Sequence, residues 1–148
     1  MITSFSGPYR FLSNFYPSIV AYEGMRFSTV EHAYQAAKTL DERERLWIAS
    51  RPYPALAKKA GKSVTLRRGW EGMKVDVMRE LLAQKFTNPG LAQQLLDTGE
   101  QDLVEGNTWG DVFWGVCSGR GQNWLGKLLM ERRSILAAHR SKLEEPHG

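Results

Sequence analysis

Between Phe27 and Leu40 the chain sorts its apolar and polar residues onto two faces. At ~100° per residue, Val30, Ala33, Ala37 and Leu40 share one side of a helix. Glu31, Tyr34, Gln35 and Lys38 share the other. The spacing predicts a helix that begins at Ser28, with Ser28 and Glu31 at the S-x-x-E separation of a capping box. Upstream, Val20-Ala21-Tyr22 and Met25-Arg26-Phe27 flank Glu23-Gly24, which predicts a tight hairpin running straight into that helix. Ile2 to Ser6 reads as a short strand broken by Gly7-Pro8-Tyr9, and Phe11 to Pro17 is too punctuated for a long element.

Downstream, Asp41 to Ser50 reads as a second helix or a kinked continuation of the first. Leu46, Trp47 and Ile48 are expected on its buried side, and Pro52 and Pro54 end it. Ala55 to Ala60 forms a short helix closed by Gly61 at C′. Trp70, Met73, Val77, Met78, Leu81, Leu82 and Phe86 keep helical spacing up to Asn88-Pro89-Gly90, the firmest amphipathic pattern in the chain. Leu91 to Asp97 is a further short helix closed by Gly99, and Leu103-Val104 reads as a strand. A loop follows over Glu105 to Gly115. The last helix starts near Gln122 and packs Leu125, Leu128, Leu129, Ile135 and Leu136, leaving a polar, frayed tail after His139. The expected fold is α+β, a mainly helical single domain over 1–148 with a few short strands.

At 148 residues the chain is long enough to bury a core without disulfides or metals. Its 42% hydrophobic and 24% charged content are those of a soluble globular protein, and no apolar run approaches the ~20 residues of a membrane span. The N-terminus lacks the basic region and apolar run of a signal peptide. A lone Cys117 suits a reducing compartment, so a cytoplasmic location is expected. Three scattered histidines give no zinc-ligand spacing, and neither a metal nor a cofactor is expected. The net charge of +4 favours anionic partners. Lys58, Lys59, Lys62, Arg67 and Arg68 form either a solvated helix end or a patch facing phosphate.

Two regions hold chemistry. The polar face of the Ser28–Leu40 helix joins a carboxylate, a phenol, an amide and an amine, which is either a solvated ladder or the wall of a site. Lys38 follows Glu31 by close to two turns, about 10 Å along the axis, on the same side. The second region, Gly106 to Gly126, interleaves glycines with Trp109, Trp114 and Trp124. Glycines admit close approach to a ligand and tryptophans supply flat faces, although both also build plain structural loops. Gly119-x-Gly121 with the next glycine at Gly126 is not a dinucleotide fingerprint, and no P-loop follows.

The helix Ser28-Thr29-Val30-Glu31-His32-Ala33-Tyr34-Gln35-Ala36-Ala37-Lys38 resembles the signature of the NADAR family of YbiA-like N-glycosidases. Ala33 follows His32 before Tyr34, so the aromatic position departs slightly from the family pattern. Three further motifs are similar to the family in order: Phe11-Leu12-Ser13-Asn14-Phe15; Arg67 to Lys74 with Trp70; and Trp109-Gly110-Asp111 through Trp114-Gly115 to Gly119-x-Gly121-x-Asn123-x-Leu125-Gly126. The resemblance runs from about Phe11 to about Arg133.

The resemblance implies hydrolysis of an N-glycosidic bond between a ribose phosphate and an amino-pyrimidine or guanine-type base, as in riboflavin-pathway intermediates. Removal of ADP-ribose from guanine in DNA is the alternative substrate, and a non-catalytic ADP-ribose or nucleotide-binding module the alternative function. Glu31, Lys38 and Asp111 are the expected catalytic residues. Asn14, Phe15, His32, Tyr34, Gln35, Arg67, Trp70, Trp109, Gly110, Trp114, Gly119, Gly121 and Asn123 are the expected substrate-binding residues. The pocket is expected between the Ser28–Leu40 helix and the Trp109–Gly126 loop. Either Lys38 attacks ribose C1 to give a Schiff base, or water attacks directly with Glu31 or Asp111 as base.

Overall fold

The computed structural model describes residues 1–144. They divide into two compact units, Ser13–Lys85 and a second that joins Met1–Leu12 to the chain from Phe86 onward. The fold is α+β, with many helices and two small two-stranded sheets. Among the described residues no helix is long and apolar enough to cross a membrane.

In the Ser13–Lys85 unit, β1 (Pro17–Tyr22) pairs antiparallel with β2 (Met25–Thr29), and Tyr22 faces Met25 across the turn. Both turn residues have positive φ, Glu23 at 46° and Gly24 at 83°, which is the hairpin geometry that matches strand twist. Glycine adopts it freely and glutamate does not. Glu23 is held there by Arg45 at 2.7 Å and Arg67 at 3.1 Å. Their hydrogen bonds, Arg45 foremost, draw its carboxyl below the usual range.

β2 passes directly into α1 (Val30–Ala37), as the hairpin pattern predicts. The cap is not Ser28. Thr29 occupies the N-cap and accepts from His32 N–H at 3.0 Å, while the Ser28 hydroxyl turns toward His32 Nδ1. The capping box therefore does not form, and Glu31 is not tied up in it. The helix also stops sooner than its apolar pattern, with Lys38 as C-cap and Leu40 67% exposed.

α2 (Glu42–Ala49) is a separate helix capped by Asp41. It buries Ile48 and Arg45, whereas Leu46 and Trp47 face outward, contrary to the sequence reading. Arg45 takes the inner position because its guanidinium reaches both the Thr39 carbonyl and Glu23. α3 (Pro54–Ala60) ends at Gly61, whose φ of −59° is right-handed. Gly61 is therefore not the left-handed C′ glycine its position suggests. α4 (Trp70–Lys85) buries Trp70, Val77, Met78, Leu81 and Leu82 as expected, with Met73 only partly covered. Lys85 is fully buried on the same face, one turn after Leu81.

In the other unit, Gly7–Leu12 is a short 3-10 helix. The expected Ile2–Ser6 and Leu103–Val104 strands shrink to one bridge, Ile2 to Leu103. The strands that form are β3 (Gly106–Asn107) and β4 (Val116–Cys117), parallel and two residues each. α5 (Pro89–Asp97) is capped by Asn88. α6 (Trp124–Glu144) buries Leu125, Leu128 and Leu129 but leaves Ile135 exposed. It is helical past His139 to Glu144, and the last part of the expected polar tail lies outside the described residues.

Candidate functional site

The polar face of α1 is not a solvated ladder: every residue from Val30 to Ala37 is buried. Glu31 is 7% exposed. Its backbone N–H donates to the Asn14 carbonyl at 3.1 Å, which ties the Ser13–Tyr16 turn to the first turn of the helix. There the helix dipole favours its negative charge. One carboxylate oxygen accepts from Gln35 Nε2 at 2.9 Å.

Lys38 stands at the other end of this face. Its amine lies 5.6 Å from the Tyr34 ring centroid, and the Tyr34 ring leans on Trp70 with centroids 5.3 Å apart. Desolvation is the main influence and lowers the Lys38 pKa. The charge of Glu31 works against that shift, Lys74 and Lys58 reinforce it, and Glu71 opposes it. The face thus brings a carboxylate and a desolvated amine together beside an aromatic wall.

The other expected residues of this unit divide by what they touch. Asn14 is buried, with Nδ2 at 3.5 Å from Met78 Sδ and Oδ1 without a hydrogen-bond partner. Such an amide oxygen is a ready acceptor for a ligand donor or a water. Phe15 is exposed. His32 is locked into the fold. Its Nε2 donates to the Arg51 carbonyl at 2.8 Å, and its Nδ1 shares a 2.7 Å hydrogen bond with Thr29 Oγ1. Arg67 reaches Glu23, the Tyr22 hydroxyl and the Ala37 carbonyl, and its N–H donates to the Lys38 carbonyl. It buttresses the end of α1 from which Lys38 projects.

The Trp109–Gly126 loop belongs to the other unit. Asp111 Oδ1 accepts from the Phe113 and Trp114 N–H groups at 3.1 and 2.9 Å. Asn123 Oδ1 accepts from Glu105 N–H, and its Nδ2 donates to the Leu103 carbonyl. A Cβ on Gly121 would come within 2.1 Å of the Gly115 carbonyl, and one on Gly126 within 2.0 Å of the Leu103 carbonyl. These residues close the loop on itself. Gly110 and Gly119 take positive φ at its bends. Trp114 packs edge-on to Phe113, and Trp109 is 61% exposed. Among the described residues no group of three His, Cys, Asp or Glu side chains is placed to hold a metal ion.

Two residues that shape the Glu31 face escaped the sequence reading. Gly61 was read as a helix terminator, but a Cβ there would lie 1.8 Å from Gln35 Oε1. Lys85 donates to the Ser13 carbonyl at 2.9 Å, one residue from Asn14. Its place one turn beyond Leu81 was the available signal.

In this α+β fold the first full helix buries an acid, a phenol and an amide, and the partly covered Lys38 amine follows at its C-cap. The chain belongs to the NADAR domain family, whose pattern matches residues 3–137. It is 41% identical over 138 residues to N-glycosidase YbiA of Escherichia coli K12, covering 90% of this chain and 86% of that protein. It is 38% identical over 133 residues to an N-glycosidase of Nostoc punctiforme, covering 85% of each. A riboflavin biosynthesis protein of Vibrio vulnificus is 38% identical over 87% of this chain and 36% of its own length. The NMR structure of E. coli YbiA superposes with a TM-score of 0.82 at 38% identity, over 99% of this chain and 90% of that one.

Proposed function

We propose that this chain is an N-glycosidase that separates ribose 5-phosphate from an amino-pyrimidine amine, with Lys38 as nucleophile and Glu31 as proton-transfer group. The observation that carries the reading is the buried Glu31 carboxylate near the start of α1, with the partly buried, desolvated Lys38 amine at its C-cap feeling the Glu31 charge. A neutral amine is the reactive form, and burial increases its share. Glu31 takes a proton from the Lys38 ammonium, leaving a neutral amine, and delivers it to the ribose ring oxygen, so that the ring opens to an imine between C1 and the departing amine. Lys38 adds to C1, a proton passes to the pyrimidine nitrogen, and the C1–N bond to the pyrimidine breaks. Water then adds to the resulting C1–lysine Schiff base, releasing ribose 5-phosphate and regenerating the amine. The charges of Lys58 and Lys74, already felt at Lys38, favour an anionic substrate. Such a small ribosyl nucleotide and the lone Cys117 fit a cytoplasmic enzyme.

The test incubates the protein with a ribosylamino-pyrimidine phosphate and, separately, with DNA carrying ADP-ribosylated guanine. Free pyrimidine amine is expected from the first. Borohydride added during turnover is expected to fix ribose phosphate on the wild type and not on Lys38→Ala. Release of base from the DNA substrate alone would move the substrate to ADP-ribosyl-guanine. No release from either would end the glycosidase reading, and an active Lys38→Ala without trapping would end the Schiff base.

A further inference from the structure

The glutamine one turn beyond Glu31 sits in an unusual environment. Gln35 Nε2 donates to Glu31 at 2.9 Å, while its Oε1 is buried without a hydrogen-bond partner. That oxygen occupies the space a side chain at position 61 would need: a Cβ on Gly61 would lie 1.8 Å from Oε1, 2.6 Å from Cδ and 3.1 Å from the Gln35 Cβ. The Gly61 backbone itself, at φ −59°, is one any L-residue adopts. Space, not conformation, is what glycine supplies there. Turning the amide over would point its oxygen at the Glu31 carboxylate and lose the hydrogen bond.

We infer that Gln35 and Gly61 are positioning residues for Glu31: Gly61 leaves the seat for the Gln35 carboxamide, and that carboxamide fixes the carboxylate for proton transfer. This rests on the reading that Glu31 moves the proton, and it departs from the expectation that Gln35 binds substrate. A side chain at position 61 displaces the amide, takes its hydrogen bond from the carboxylate, and costs turnover without touching the ligand.

The experiment measures kcat and KM on a ribosylamino-pyrimidine phosphate for Gly61→Ala, Gln35→Ala, the double variant and Glu31→Gln, each with a melting curve. Gly61→Ala and Gln35→Ala are expected to lower kcat about tenfold or more, part of the ~10²–10⁴ that a placed acid–base group supplies, with KM held within about twofold. In the Gln35→Ala background, where the contacts at 1.8 and 2.6 Å are gone and only the tight 3.1 Å approach to the Cβ remains, Gly61→Ala is expected to change kcat little further. A raised KM at unchanged kcat would make Gln35 a substrate ligand and overturn the inference, as would wild-type kcat in Gly61→Ala. Should Gly61→Ala not fold, the double variant decides: a kcat equal to the reduced value of Gln35→Ala supports the inference, and a wild-type kcat in both overturns it. Glu31→Gln separates the two failures. Full turnover there removes the catalytic role of Glu31 itself. Lost turnover there beside an unimpaired Gln35→Ala removes only the positioning.

Discussion

Lys85→Met is the most quantitative test of the Ser13–Lys85 unit. Lys85 has no exposed surface, and burial lowers its amine from an ordinary 10.5 to about 7. A folded pKa below the unfolded one means that, between the two values, the unfolded chain binds a proton that the folded chain does not. Stability from this group therefore rises with pH between about 7 and 10.5, and is flat below that window. Each pH unit inside the window is worth ~1.4 kcal/mol, so the gain from about pH 7 to about pH 9 is about 2 kcal/mol. Methionine is of similar length and does not titrate. Urea unfolding of wild type and Lys85→Met across this range isolates the effect, because every other titrating group cancels in the difference. The wild type is expected to gain about 2 kcal/mol on the variant between the two ends of the scan. Parallel stability curves would refute the argument and mean that the amine stays protonated in the folded protein.

The remaining tests are simpler. The rate on a ribosylamino-pyrimidine phosphate is expected to rise with pH through the lowered value of Lys38 and level off before 10.5; a flat profile below 10.5 would remove the amine as nucleophile. Glu23 has a lowered folded pKa, so its contribution is present above 4.5 and lost as pH falls through the folded value. The melting-temperature gap between wild type and Glu23→Gln is expected to close on acidification, and a gap that persists would show the ion pairs to be idle. Asp111→Asn keeps the oxygen that accepts from Phe113 and Trp114 and is expected to melt with the wild type, whereas Asp111→Ala melts lower. Equal melting of both variants would contradict the loop-closing role.

What the sequence disclosed well was local. The Glu23-Gly24 hairpin, the long helix up to Asn88-Pro89 and the polar face of α1 all rest on short-range patterns, and each is present. What it hid depends on partners distant in the chain. Thr29 displaces Ser28 as the cap because its hydroxyl also serves His32 Nδ1, whose other nitrogen meets the Arg51 carbonyl. Arg45 displaces Leu46 and Trp47 from the interior because Glu23 and Thr39 wait for it there. Gly61 carried its usual meaning of helix stop until Gln35 gave it another, and Lys85 went unread until the Ser13 carbonyl placed it inside. Asp111 and Asn123 stood out as chemistry-bearing, and their amide partners show how much of that motif goes into holding a loop shut.

Gln84 has a consequence of a different kind. Its carboxamide donates to the Ala21 carbonyl and accepts the Ala21 N–H, both at 2.7 Å, along the side of β1 that β2 does not cover. A single side chain thus imitates one rung of a third strand. A bare edge on a two-stranded ribbon, with Ile19 exposed beside it, is a template on which a second copy can lay its own strand. By occupying that rung from within, Gln84 leaves neither backbone group of Ala21 open to an incoming strand.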